Sequence, residues 1–128
     1  MAKNNTPKAP SQRQLRVGEE IRHVLSEIFR NGDLYEAQLM NVSITVSEVR
    51  ISPDLRNATA YVMPLGGQGP QDFLTLLNAS APQISHLVSK RIKMKFTPRL
   101  SFRMDNSFDV AFEIEQLIDK VKSENDED

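Results

Sequence analysis

Residues 91–105 read RIKMKFTPRLSFRMD, and this stretch decides the fold. Its even positions are apolar from Ile92 to Met104, and cations occupy five of its odd positions: Arg91, Lys93, Lys95, Arg99 and Arg103. A period of two residues is typical of a strand with one buried face and one exposed face. The stretch therefore predicts a half-buried strand whose outer face carries a row of positive charge. That row is either a contact for a polyanion or an ordinary solvated strand surface.

The charge around this stretch is strongly segregated. The formal net charge is only −1, yet residues 86–104 contain six Lys or Arg, including Lys90, and no acid. Residues 105–128 contain nine Asp or Glu against Lys120 and Lys122. A near-neutral total that hides a basic patch and an acidic patch indicates a polyanionic partner more strongly than the overall charge does.

Composition limits the class of protein. The chain has 128 residues, 39% of them hydrophobic, and no cysteine, so neither a disulfide nor a cysteine metal site can form. No apolar run is as long as a membrane span, and the first ten residues, MAKNNTPKAP, lack the hydrophobic segment of a secretory signal. We therefore expect a cytoplasmic protein with a flexible arm at 1–10, a single domain at 11–121 and a disordered acidic tail at 122–128.

The first element is predicted to be a helix. Ser11 and Gln14 have the spacing of a capping box, and apolar residues then recur at helical spacing from Val17 to Ile28. Asn31-Gly32 supplies the signal that ends the helix.

Two antiparallel strands are predicted next. Residues 42–46 alternate between apolar and polar, and the apolar phase then slips to Val49 and Ile51, which indicates a bulge. The turn-forming run SPDLRN leads to a second strand at about 58–63, which Pro64 closes because proline cannot donate to the ladder.

A broken helix leads into the opening stretch. A short helix is expected from Phe73 to about Asn78, and Pro82 prevents it from continuing, so the chain should kink at 79–81 and begin a second helix there. That second helix should end between Lys90 and Ile92, where the alternating strand takes over. Residues from Asn106 onwards have the spacing of a trailing helix.

The order of these elements is helix, strand, strand, kinked helix pair, strand and trailing helix. It predicts an α+β fold with a three-stranded sheet and helices on one face, and this order resembles the type II KH-like fold. KH domains clamp nucleotides with a GXXG loop between helices. The equivalent junction here, Asn78-Ala79-Ser80-Ala81, contains no glycine.

Several runs make the chain resemble the ribosome-binding factor A family of bacterial small-subunit assembly factors. They are Arg16-Val17, ITVSEVRISPDLRNATAYV at 44–62, LVSKRIKMKFTPRLSF at 87–102 and Asp105-Asn106-Ser107. The resemblance implies binding to the rRNA of immature small ribosomal subunits, beside the ribosomal proteins of that subunit, and assistance to late maturation and 5′-end processing of that RNA. The partners expected are thus RNA and ribosomal proteins, with no membrane contact, and the protein is expected to be a monomer.

The RNA contacts that we expect fall into three groups. Phosphates would be bound by the cations around the last strand, with help from two arginines of the first helix, and the small residues at the kink would let the RNA backbone approach. The residues are Lys90, Arg91, Lys93, Lys95, Arg99 and Arg103, then Arg13 and Arg16, then Ser80 and Ala81. The corner at 90–95, beside the kink at 79–81, is predicted to be the centre of the interface, with Arg99 and Arg103 peripheral.

The sequence shows none of the residue patterns of an enzyme, so we expect a binding protein that uses no cofactor and no metal. The glycine-rich run at 66–70 lacks the Lys-Ser/Thr of a phosphate loop. A nuclease or hydrolase would need Asp105, Asp109 or His86 beside a metal. A protein-interaction module that uses the open sheet face or an edge strand is the alternative binding function.

Overall fold

The computed structural model describes residues 9–34, 36–39, 41–65, 69–105 and 118. Within these ranges the elements follow the predicted order as far as the last strand, and they form an α+β fold in which three helices and a three-stranded sheet share one hydrophobic core. They are α1 (Gln12–Asn31), β1 (Ile44–Ile51), β2 (Asn57–Pro64), α2 (Phe73–Ala79), α3 (Ala81–Arg91) and β3 (Arg99–Met104).

The predicted limits of α1 are confirmed. The Ser11 hydroxyl accepts a hydrogen bond from the Gln14 backbone N–H, the Gln14 side chain accepts one from the Ser11 N–H, and Gly32 ends the helix in the left-handed conformation. The helix then lies unusually close to β1. A Cβ placed on Gly18 would lie 2.6 Å from the carbonyl oxygen of Val49, so glycine is required at this crossing.

The sheet has the order β1-β2-β3, with β1 and β2 antiparallel and β2 and β3 parallel. The bulge predicted from the phase slip is confirmed between Val46 and Glu48. It keeps Val46, Val49 and Ile51 on the buried face although their spacing is not uniform.

The last strand begins later than predicted. Helix α3 ends at Arg91 as expected, but β3 starts at Arg99, so residues 92–98 form a connecting segment. The physical reason is the parallel register, which pairs Arg99 with Asn57, the first residue of β2, and leaves residues 92–98 without a neighbouring strand. Pro98 also has no N–H to donate. The predicted continuous row of charge along one strand is therefore wrong.

The kink between α2 and α3 is confirmed, with Ser80 between the two helices and Pro82 in the first turn of α3. The side chain of Asn78 fixes this junction to β3. Its amide nitrogen donates to the carbonyl oxygen of Phe102 at 3.1 Å, and its amide oxygen accepts from the Phe102 N–H at 2.8 Å. Asn78 thus occupies part of the free edge of β3 in the way that a further strand would.

Some predictions lie outside the described residues. They are most of the N-terminal arm, the glycine run at 66–68, nearly all of the trailing helix from 106 and the acidic tail at 122–128. The division into arm, domain and tail stays a prediction. Within the described part of the chain, no helix has both the length and the apolar character needed to cross a membrane.

Candidate nucleic-acid interface

A groove with positively charged walls runs beside the start of α1. Three separate parts of the chain form it: the first turns of α1, the turn between β1 and β2, and the connecting segment before β3. We call it the basic groove, and its volume is about 780 Å³. The lining residues are Arg13, Val17, Asp54, Leu55, Arg56, Lys93, Met94, Lys95, Phe96 and Thr97. Four of these are cations and one is an acid, so the groove attracts anions.

Asp54, the one carboxylate among the described residues of the basic groove, is committed to its own turn. Asp54 accepts hydrogen bonds from the Ser52 hydroxyl at 2.6 Å and from the Arg56 N–H at 3.1 Å. The pKa of Asp54 lies below its ordinary value, mainly because the Ser52 hydroxyl donates to the carboxylate and secondly because the Arg56 N–H does so. Leu55, next in the turn, has a φ of 60°, a left-handed conformation that is rare for leucine. The turn is therefore held in one shape beside the cations.

The turn is also joined to β3. The Arg99 N–H donates to the carbonyl oxygen of Arg56 at 2.7 Å, just before the parallel ladder begins. This bond brings the β1–β2 turn, which carries Arg56, next to the segment that carries Lys93 and Lys95. Residues that are far apart in the sequence thus share one wall.

A second groove lies where α2 and α3 meet the start of β3. We call it the junction groove, and its volume is about 520 Å³. The lining residues are Asn78, Ala81, Pro82, Ser85, Thr97, Pro98, Arg99, Leu100 and Ser101. Thr97 lines both grooves, so the two meet along the segment from Lys95 to Arg99.

The predicted proximity of the corner at 90–95 to the kink at 79–81 is wrong. Lys90 and Ala81 lie near opposite ends of α3, about 14 Å apart at 1.5 Å per residue, so the corner at 90–95 does not lie beside the kink. Arg99, expected to be peripheral, lines the junction groove with Ala81. The prediction treats neighbours in sequence as neighbours in space, whereas the length of α3 separates them.

Arg91 is engaged in ion pairs with two acids. Its guanidinium lies 2.6 Å from the Asp33 carboxylate and 3.9 Å from that of Glu27. Side chains of both Arg91 and Asp33 are 33% exposed, so the pair is partly shielded from water. A cation compensated in this way attracts phosphate less than an unpaired one does. Arg91 is thus a weaker candidate than its neighbours for an RNA contact.

The other predicted residues are dispersed. Arg16 is exposed on α1, one turn from Arg13, and Lys90 is exposed in the last turn of α3. Arg103 is exposed on β3 and pairs in register with Tyr61 of β2. At the kink, Ser80 is half-buried and Ala81 is buried in the core, so the small size of Ala81 serves helix packing.

Sequence reasoning did not identify two candidate RNA-contact residues of the basic groove, Arg56 and Phe96. Arg56 belongs to the SPDLRN turn, and nothing in its local pattern indicates that the turn meets the segment before β3. The period of two places Phe96 on the buried face, but it is 77% exposed and lines the basic groove. Its position outside the ladder frees it from the alternation that a paired strand would impose.

The described residues contain no cluster of three His, Asp or Glu side chains that could hold a metal ion. Asp109, one of the acids that a nuclease would need, lies outside those residues.

Comparison with known proteins identifies one family. The family model of ribosome-binding factor A matches residues 13–118. Ribosome-binding factor A of Ruegeria pomeroyi is 48% identical over 122 residues, which cover 94% of this chain and 93% of that protein.

One crystal structure and one homology model of other proteins share the fold. The crystal structure of ribosome-binding factor A from Thermus thermophilus superposes with a TM-score of 0.58 at 22% identity, covering 71% of this chain and 94% of that one. A Thermus thermophilus ribosome-binding factor A homology model, fitted into the cryo-EM map of its complex with the 30S subunit, has a TM-score of 0.57 at 21% identity. It covers 70% of this chain and 91% of its own. These similarities confirm the KH-like α+β fold predicted from the order of elements.

Proposed function

The chain belongs to the ribosome-binding factor A family, and on that premise we propose that it binds the RNA of the immature small ribosomal subunit through the basic groove. It then assists late maturation and 5′-end processing of that RNA. The observation that carries the proposal is the convergence of Arg13, Arg56, Lys93 and Lys95 around one groove. Among the described residues that line it, the only acid is Asp54, which is bonded within its own turn. Cations gathered from three segments suit the closely spaced phosphates of RNA.

The junction groove extends the proposed path of the RNA. Arg99 adds a fifth cation, and Thr97 connects the two grooves. The junction lacks the GXXG loop with which KH domains clamp the backbone. We therefore assign the main phosphate contacts to the cations, with Ser80 and Ala81 bordering the backbone rather than clamping it.

Contacts to phosphates position a protein without reading the bases. Specificity would then come from the shape of the rRNA site and from adjacent ribosomal proteins. The protein acts as a binding factor rather than an enzyme, as a monomer, and in the cytoplasm where ribosomes are assembled.

Neutralising two groove cations tests the proposal. Binding of the Lys93→Gln/Lys95→Gln variant to immature small subunits is measured over a range of salt concentrations. With five cations in contact, log affinity should fall with log salt at a slope of about −3.5 to −4.5. The double variant should bind more weakly, with a slope shallower by about 1.5. A strain carrying it should accumulate rRNA with unprocessed 5′ ends.

The matched control removes the same charge elsewhere. Arg30 and Arg50 are exposed and line neither groove. The Arg30→Gln/Arg50→Gln variant should keep the wild-type slope. Equal effects of the two variants would show that net charge rather than the basic groove governs binding, and a flat salt response of the wild type would reject the electrostatic contact.

The alternative of a protein-interaction module has weaker support. Asn78 already bonds both polar backbone groups of Phe102 at the β3 edge, and the bulge interrupts β1 at the opposite edge. Both features hinder the addition of a further strand.

A further inference from the structure

We propose that Phe96 is a stacking platform for an unpaired base of the bound RNA. The inference rests on the proposed function and makes it more specific, because it predicts that the basic groove receives a single-stranded or flipped-out nucleotide rather than regular duplex. The juxtaposition that carries it is an exposed aromatic ring in a wall that also contains Lys93, Lys95, Arg13 and Arg56.

The exposure of Phe96 is exceptional among the described residues. It is 77% exposed, the highest value among the large apolar side chains found exposed there, whereas Phe73 is 4% exposed and Phe102 is 2% exposed. Leaving such a ring in water forgoes the free energy that its burial would contribute. The folding of the described core therefore does not account for the position of Phe96.

The segment that carries Phe96 is held at both ends. Ile92 is buried, and its N–H donates to the Val88 carbonyl at the end of α3. Pro98 is buried at the other end, and the Arg99 N–H that follows is bonded to Arg56. The ring thus belongs to a short segment that is fixed at both ends, which lowers the conformational entropy lost when a ligand stacks on it.

The charges around the ring favour a nucleotide over an apolar peptide. The Lys95 ammonium lies 5.8 Å from the centre of the Phe96 ring, and the other three cations line the same groove. Proteins that bind single-stranded nucleic acid combine aromatic platforms for bases with cations that follow the backbone. A partner protein would have to bring acidic groups around an apolar anchor to fit the same wall, whereas one nucleotide supplies both the flat ring and the phosphate.

The absence of tryptophan from the chain allows a direct test. A Phe96→Trp variant carries the only indole, which keeps a stacking ring in the groove, and its emission reports what covers that ring. Leu65→Trp is the control. Leu65 is 66% exposed and follows the last residue of β2, about 25–30 Å along the strand from the end of β2 that lies near Phe96. Immature small subunits should quench the emission of Phe96→Trp and leave that of Leu65→Trp unchanged.

Affinity measurements distinguish the contribution of the aromatic ring of Phe96 from that of its apolar surface. Phe96→Ala should weaken binding to immature small subunits about 5- to 150-fold, because stacking on one aromatic side chain contributes an effect of that size. The salt slope should stay at the wild-type value since no charge is removed. Phe96→Leu, which is apolar but has no ring, should bind as weakly as Phe96→Ala, and Phe96→Trp should bind at least as well as the wild type.

The remaining outcomes would overturn the inference. Blue-shifted emission of Phe96→Trp without quenching would mean that a protein surface covers the ring on binding, and emission already blue-shifted in the free protein would mean that another part of the chain does. If Phe96→Ala binds with wild-type affinity while Lys93→Gln/Lys95→Gln binds more weakly, stacking is rejected and the proposed function remains intact. Wild-type affinity of both variants would reject the basic groove itself.

Discussion

Replacing Gly18 by alanine should destabilise the protein, against the usual effect of this change in a helix. Alanine is favoured over glycine in a helix interior by about 1 kcal/mol, so an unobstructed site would gain stability. At Gly18 the new Cβ would lie 2.6 Å from the Val49 carbonyl oxygen, and also 3.5 Å from the side chain of Ile51. The first contact is with backbone, which cannot rotate away.

The magnitude follows from the displacement that the methyl group requires. Ordinary contacts of a Cβ begin at 3.4 Å, so α1 and β1 must separate by about 0.8 Å. Overpacking of this kind costs up to about 3 kcal/mol, and the gain in helix propensity offsets about 1 kcal/mol of it. We expect the free energy of unfolding of Gly18→Ala to fall by about 2 kcal/mol.

Urea denaturation checks this value through the midpoint at an unchanged m-value. Gly32→Ala is the matched control, because Gly32 has a φ of 70° and nothing within 4 Å of its added Cβ. That variant should lose about 1–2 kcal/mol, because a residue with a Cβ is strained in the left-handed conformation. A Gly18→Ala protein more stable than the wild type would refute the close approach of α1 to β1.

Two further predictions concern the hydrogen bonds that shape the grooves. Asn78→Ala removes both bonds to Phe102 and should lower the free energy of unfolding by about 1–3 kcal/mol, with faster exchange of the Phe102 amide; unchanged exchange would contradict the edge contact. Because the pKa of Asp54 is lowered in the fold, its ionised form stabilises the turn above the unfolded pKa, and this contribution is lost as pH falls through the folded pKa. NMR titration should place that pKa below the ordinary 3.8 and closer to it in Ser52→Ala, whereas a native value at or above 3.8 would count against the turn.

The elements that could be predicted are those with local chemical signals. The capping box at Ser11, the left-handed Gly32 and the break at Pro82 each restrict the backbone through residues adjacent in the sequence. The bulge could be predicted because a phase slip of one residue leaves a visible mark in the apolar pattern. These signals were enough to predict the α+β order and its KH-like assembly.

The start of β3 could not be predicted, because a strand needs a partner as well as an alternating pattern. Residues 92–98 have the period of two, but the parallel register with β2 begins only at Arg99. The same register brings Arg56 beside Arg99, a proximity that no local pattern encodes.

The candidate site could be predicted only in part, for the same reason. Lys93, Lys95 and Arg13 do line one groove, although the row of charge expected along one strand does not exist. Arg91 has the positive charge expected of an RNA-contact residue, but its pairing with Asp33 depends on how α3 packs beside the end of α1. Exposure of Phe96 is likewise a property of the connecting segment, not of its residue type.

Crosslinking the protein to rRNA on immature small subunits, with the crosslinked residues mapped, tests the proposed RNA contact most directly. We predict crosslinks concentrated at residues 93–99, where the two grooves meet, and at Arg56 and Arg13 of the basic groove. Crosslinks confined to the C-terminal half of α1, or to Arg103 and the open face of the sheet, would contradict it and place the RNA on another surface.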